Sequence, residues 1–261
     1  AKRIWLYAEG RSDTELGFKY RKAGDEEWIA IDDITVNGGS FSACVDGLET
    51  LTEYEVIALS NDSSTPVVKV TTEDVWTLPN GGFEEWSTSD KGVIYPYLPG
   101  AEPFWGSGND GAAIASTTLT EATEDTRPGS AGSYAASLQS KKAAVMGLGK
   151  FAAGNIFLGE FGGLVGMDGL VNFGRPATAR PVALRGWIKY NCGVIDEYGK
   201  TPTSRPDLKK GDMDEGQIMV AVGRWTAAEY GGSESCPVKV NTKDESTLLD
   251  PKGKDVIGSG L

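Results

Sequence analysis

Between Ile4 and Thr72 apolar and polar positions alternate in short runs: "RIWLYAEG", "LGFKYRKAG", "EEWIAID", "GSFSACVDGL", "EYEVIALS" and "PVVKVTTE". A period of two puts successive side chains on opposite faces, so each run predicts a strand with one face turned to a core. Turn residues separate the runs, Asn37-Gly38-Gly39 and Asn61-Asp62-Ser63 among them. The pattern stops at Thr72, and "TTEDVWTLPNGG" reads as a short join. Beyond it, apolar runs rich in β-branched and aromatic residues continue between clusters of Gly, Asn, Asp, Ser and Pro. Only Glu49–Glu53, Lys141–Met146 and Arg224–Tyr230 could hold a helical turn or two. The expectation is an all-β chain of two domains, residues 1–73 and 74–261.

Composition narrows what such a chain can do. Lys and Arg number 25 against 37 Asp and Glu, a net charge of −12 that repels nucleic-acid phosphates, anionic lipid surfaces and acidic substrates. No run approaches the 18 or so apolar residues of a membrane-spanning helix. The three cysteines, Cys44, Cys192 and Cys236, cannot all pair and lack metal-ligand spacing. Histidine is absent, which excludes Ser-His-Asp and Cys-His catalysis and histidine zinc sites. Carboxylates, Tyr, Lys and bound metals remain as possible actors.

Four stretches could carry chemistry. In "NGGFEEW" the Asn80-Gly81-Gly82 turn predicts a strand with Phe83 and Glu85 on one face and Glu84 and Trp86 on the other. Glu84 there could hold calcium, begin a strand paired with a base or backbone, or act chemically. Gly106 to Gly111 spells G-x-G-x-x-G, but the strand-like "AAIASTTLT" after it makes it a loop. Asp212 to Gly216 opens like a calcium loop but lacks the later glutamate, and reads as an acidic hairpin. In "YPYLPGAEPFWGSGND" the aromatics Tyr95, Tyr97 and Trp105 sit among turns and are the candidate sugar-stacking surface, with Glu102, Asn109, Asp110 and Arg127 as polar partners. Trp86 and mid-strand Trp187, in "ALRGWIKY", read as core.

Two resemblances add to this reading. "LETLTEY", Leu48 to Tyr54, resembles the L-x-P-x-T-x-Y stretch of fibronectin type III domains, with Thr50 in place of the proline. That implies a fibronectin type III or Ig-like sandwich over 1–73 whose Tyr54 bonds back to the upstream backbone. "LPNGGFEEW", "EPFWGSGNDG", "GSYAASLQS", "FAAGNIFLGEF", "GRPATARPVALRGWIKYN" and "DEGQIMVAVGRW" together resemble the putative carbohydrate metabolism domain (PCMD) family of Bacteroidetes surface and secreted proteins.

The second resemblance implies a jelly-roll β-sandwich similar to carbohydrate-binding modules. It further implies an exported protein, held at the cell surface or outer membrane as a lipoprotein or lying in the periplasm, whose partner is a glycan and, as a further possibility, other surface proteins. In jelly rolls with a similar opening, the residue matching Glu84 shares a structural calcium with an aspartate on the final strand. The family pattern also predicts strands beyond "KGKDVIGSGL". Non-catalytic glycan binding or presentation in polysaccharide utilisation is the function so implied. The alternatives are a glycoside hydrolase using paired carboxylates and an adhesin or pilus-like component completed by strand donation.

Overall fold

The computed structural model describes residues 2–11, 13–61, 63–145, 148–178, 181, 184–197 and 205–260. The chain is nearly all β and divides into two compact units. Unit 1 comprises Ala1–Thr77 with Ala177–Val182, and unit 2 comprises Leu78–Pro176 with Ala183–Leu261.

Unit 1 follows the alternation. Its strands are β1 (Arg3–Glu9), β2 (Leu16–Lys22), β3 (Ile29–Ala30), β4 (Ile34–Asn37), β5 (Ser40–Asp46), β6 (Glu53–Ser60), β7 (Ser63–Ser64) and β8 (Val68–Thr71). One antiparallel sheet has the order β1-β5-β4; the other has β3-β2-β6, with β7 and β8 both on β6. Every second residue turns inward: Ile4 and Leu6 on β1, Phe41, Ala43 and Val45 on β5, Leu16 and Phe18 on β2, Tyr54 and Val56 on β6. This single cluster between two sheets is what period-two patterning builds when one face of each sheet is wet.

The helical turn expected over Glu49–Glu53 does not form. Leu51 takes a left-handed φ of 50°, and buried Thr72 donates its hydroxyl to the Glu49 carbonyl at 2.6 Å, taking an acceptor that a helix would need. Beside it the Tyr54 hydroxyl accepts the Glu49 N–H at 3.0 Å, the back-bond expected of that tyrosine. Asp62, in one of the expected turns, lies outside the described residues.

Unit 2 is built from β9 (Ser87–Thr88), β10 (Ile94–Tyr95), β11 (Trp105–Ser107), α1 (Asn109–Ala112), β12 (Thr120–Thr123), β13 (Ala135–Leu138), β14 (Lys141–Val145), β15 (Leu148–Ala152), β16 (Ile156–Val165), β17 (Asp168–Phe173), β18 (Val220–Gly223), α2 (Ala227–Tyr230), β19 (Val238–Asn241) and β20 (Val256–Gly260). Its main sheet is antiparallel, in the order β11-β16-β17-β19, and β9-β10, β12-β13, β14-β15 and β18-β20 form two-stranded ribbons. Val171, Val238 and Val240 are its buried centre, with Phe157, Phe161, Phe173 and Trp225 packed around them.

Three expectations change here. Lys141–Val145 is a strand rather than a helical turn, because its ladder with β15 outweighs the weak helix propensity of so short a segment; Met146 and Gly147 lie outside the described residues. "AAIAS" is helical rather than strand-like, with α1 running into a 3-10 turn at Ala113–Ala115 that ends at Ser116, φ 52°. The strand expected in "ALRGWIKY" is absent among the described residues: 184–193 has no ladder, and Leu184, Trp187, Ile188 and Tyr190 are exposed. Its end is tied to the acidic Asp212 turn by an isolated bridge, Val194 to Met213, and by backbone hydrogen bonds from the Asp214 N–H to the Gly193 carbonyl (2.8 Å) and from the Ile195 N–H to the Asp212 carbonyl (2.8 Å). Of the expected turns, α2 forms within Arg224–Tyr230 and stops at Gly231, whose φ of 72° suits glycine.

Candidate functional site

The opening motif folds as a knot of turns rather than as a strand. Asn80 and Phe83 both take left-handed φ, 45° and 57°, which breaks the extended alternation. The Asn80 side chain stands in for a ladder partner: its amide donates to the carbonyls of Glu85 (2.9 Å) and Pro96 (3.0 Å) and accepts the Glu85 N–H (3.1 Å). The Trp86 indole N–H donates back to the Phe83 carbonyl at 2.6 Å, and the Trp105 indole N–H to the Pro79 carbonyl at 2.7 Å. The Phe83 and Trp105 rings lie 5.0 Å apart. Trp105, half-buried, thus spends its polar edge and one neighbour on the turn itself.

Glu84 points to a different stretch of chain. One carboxylate oxygen accepts the N–H groups of Ser133 (2.9 Å) and Tyr134 (3.1 Å), so the pairing of this glutamate is with backbone. A β-carbon at Gly132 would overlap the carboxylate, so a larger residue there would push the Glu84 side chain out of this position. Among the described residues no group of three or more Asp, Glu, Cys or His side chains could hold a metal ion.

Asn109 is the centre of the second cluster. It is 2% exposed and its amide is fully used: it donates to the carbonyls of Ile94 (2.8 Å) and Thr120 (2.7 Å) and accepts the N–H groups of Leu119 (2.9 Å) and Thr120 (3.0 Å). Nothing is left for a sugar hydroxyl, so this residue fastens β10, α1 and β12 together. The Tyr95 hydroxyl donates to Asp110 at 2.7 Å, and the rings of Tyr95 and Tyr97 stack at 5.1 Å. Burial, then the bond to Asp110, push the Tyr95 phenol well above its ordinary value; burial, then the Asp110 charge, raise Tyr97. Next to this cluster opens a cavity of about 230 Å³ lined by Lys91, Val93, Ile94, Asn109, Ser116 and Thr117, among others.

The remaining residues sit in the open. Glu102 is exposed, as is Arg127, whose guanidinium carbon lies 4.6 Å from the centroid of the Trp187 indole. Trp187 is 78% exposed, against its expected place in the core. Two positions along, Lys189 is ion-paired with Asp125. The candidate residues therefore fall into separate groups: Tyr95, Tyr97, Asp110 and Asn109; Trp105 with the Asn80 turn; and Arg127 with Trp187.

The family model described as Putative carbohydrate metabolism domain matches residues 82–236, more than half of the chain. The chain belongs to that family. A search of the curated proteins and one of the solved structures return no match. The matched carbohydrate metabolism domain takes in every candidate residue from Glu84 to Trp187 and lies within the sequence span of unit 2 apart from Ala177–Val182. Within this domain the Arg127–Trp187 pair is what sequence patterning missed. Alternation in "ALRGWIKY" signalled a core strand, and no local signal tied Arg127 to a tryptophan 60 positions later.

Proposed function

We propose that unit 2 is a glycan-binding module that does not cleave its ligand, with Trp187 as its stacking platform. The observation that supports this is the exposure of that one indole. Unit 2 has four tryptophans: Trp86 and Trp105 are hydrogen-bonded into turns, Trp225 packs on the core of the main sheet, and Trp187 alone stands open to solvent. The apolar C–H face of a sugar ring gains by covering such a surface, and water loses little by leaving it. Tyr190, 55% exposed, extends the aromatic surface along the same segment. We propose an extracellular location along with this reading; protease shaving of intact cells would check it.

The test is a glycan array probed with the full chain, followed by calorimetry of each hit with wild type and Trp187→Ala. Saturable binding that weakens at least about tenfold in the variant, a loss of about 1.4 kcal/mol, is the expected result. No binding by a chain shown to be folded would overturn the reading. A second reading, assembly by strand addition, is favoured by the absence, among the described residues, of a ladder over 184–193. It predicts oligomers that grow with concentration in sedimentation, with no glycan bound.

A further inference from the structure

The net charge of −12 argues against acidic ligands for the chain as a whole, yet the exposed aromatic is accompanied by a cation. The Arg127 guanidinium sits over the Trp187 ring at 4.6 Å. Among the described residues its one hydrogen bond is a long one, from Nη1 to the Pro128 carbonyl at 3.4 Å, and no carboxylate pairs with it. A guanidinium has five N–H donors in a rigid fork, so four remain for a ligand. The nearest acidic residues in sequence are Glu124, exposed, and Asp125, already bound by Lys189. Arg185, two residues before Trp187, adds a second exposed cation to the segment.

Among the described residues Arg127 has no salt bridge, in a chain with twelve more acids than bases, so its charge is open to a ligand. Distant carboxylates act on it weakly, because charges farther away than about 8–10 Å are screened at ordinary ionic strength. A neutral sugar on Trp187 would use the ring and leave the fork unused. A sugar ring bearing an anionic group uses both: its C–H face covers the open side of the indole, and its anion takes the in-plane donors of the guanidinium.

We propose that the Arg127–Trp187 pair binds glycans whose sugars carry an anionic substituent, a uronate carboxylate or a sulfate ester, in preference to neutral ones. This rests on the glycan-binding reading above and names the ligand class of the same site.

The experiment is calorimetric titration of the full chain with three size-matched oligosaccharides: oligogalacturonate, a sulfated galactan oligomer and the neutral galactan oligomer. Each is run against wild type, Arg127→Gln and Arg127→Lys at one fixed ionic strength. The expected result is that at least one anionic oligomer binds about tenfold tighter than the neutral one. Which of the two does so identifies the source of the anion. Arg127→Gln removes the preference and leaves neutral binding within about threefold. Arg127→Lys, which keeps the charge but loses the planar fork, restores only part of the preference. Arg127 is exposed, so these variants leave the fold intact, and matching circular dichroism spectra establish that. Equal binding of all three oligomers, or a preference that survives Arg127→Gln, overturns this proposal and leaves the glycan reading standing. Binding of none, across these and the array, overturns both.

Discussion

At Asn109 one side chain satisfies four buried backbone groups at once, and replacing it with alanine orphans all of them. An unsatisfied buried donor or acceptor costs about 1–3 kcal/mol, with partial relief from water entering the gap, so Asn109→Ala should lower the stability of unit 2 by about 3 kcal/mol in urea unfolding. Tyr54→Phe removes a single hydrogen bond, that from the Glu49 N–H, and should cost unit 1 about 1 kcal/mol by the same measurement. For Glu84, the backbone amides of Ser133 and Tyr134 engage one carboxylate oxygen, and among the described residues no cluster of acids joins it that could hold a cation. The melting temperature should therefore be unchanged by a chelator and lowered by Glu84→Ala; a fall on adding chelator alone would instead support calcium at Glu84. These three residues differ in how legible they were. Tyr54 sits in a recognisable stretch and bonds five residues back, a local relation. The partners of Glu84 lie about fifty positions away and those of Asn109 lie on β10 and at the start of β12, so no spacing in the sequence points to them.

Elements that alternate cleanly were legible, and those held by side-chain bonds to backbone were not. In unit 1 the buried positions of β1, β2, β5 and β6 are the alternate positions of the quoted runs, because two sheets with one wet face leave the pattern no other solution. In unit 2 the segment from Leu78 to Trp86 is shaped by Asn80, Phe83 and their bonds, and periodicity is silent about such turns. The stretch around Trp187 alternates yet has no ladder among the described residues. Its amides, Gly186 to Tyr190, should exchange with solvent almost unprotected, while those of β16 and β17 are strongly protected; hydrogen exchange read by mass spectrometry distinguishes the two. Protection over 186–190 would mean that this segment has found a strand partner.

A pH effect also belongs to paired elements. Arg21 on β2 stands opposite Glu55 on β6, with the Glu55 side chain 13% exposed. The hydrogen bond from Arg21 outweighs burial and holds the Glu55 carboxyl below its ordinary range. The unfolded chain therefore takes up this proton at a higher pH than the folded one. The pair's contribution is complete above the unfolded value, about 4.3, and is lost as pH falls through the folded value. Unit 1 of Glu55→Gln should accordingly show a shallower loss of stability than wild type as pH falls below about 4.3, measured by urea unfolding at a series of pH values.

For the whole molecule, two units with separate buried clusters predict two unfolding transitions rather than one. Tyr54→Phe should move only the first and Asn109→Ala only the second, which differential scanning calorimetry of the two variants would resolve; a single shared transition would show that the clusters unfold together. With no histidine in the chain, the side chains that titrate between pH 5 and 8 in other proteins are missing, so the net charge stays near −12 across that interval. Ligand affinity at the Arg127–Trp187 pair should be correspondingly flat with pH over the same interval.

The three hydrogen bonds of Asn80 also bear on how the molecule ages. An asparagine followed by glycine loses its amide nitrogen when the side-chain carbon swings onto the next backbone nitrogen, a reaction that needs a loose side chain and a pliant turn. The chain has two such pairs, Asn37-Gly38 and Asn80-Gly81. Asn80 is clamped to Glu85 and Pro96 and cannot make the swing, whereas Asn37 lies exposed at the tip of the β4–β5 hairpin. Stored protein should therefore gain its first extra negative charge at Asn37, in unit 1, leaving the Asn80 turn of unit 2 unaltered.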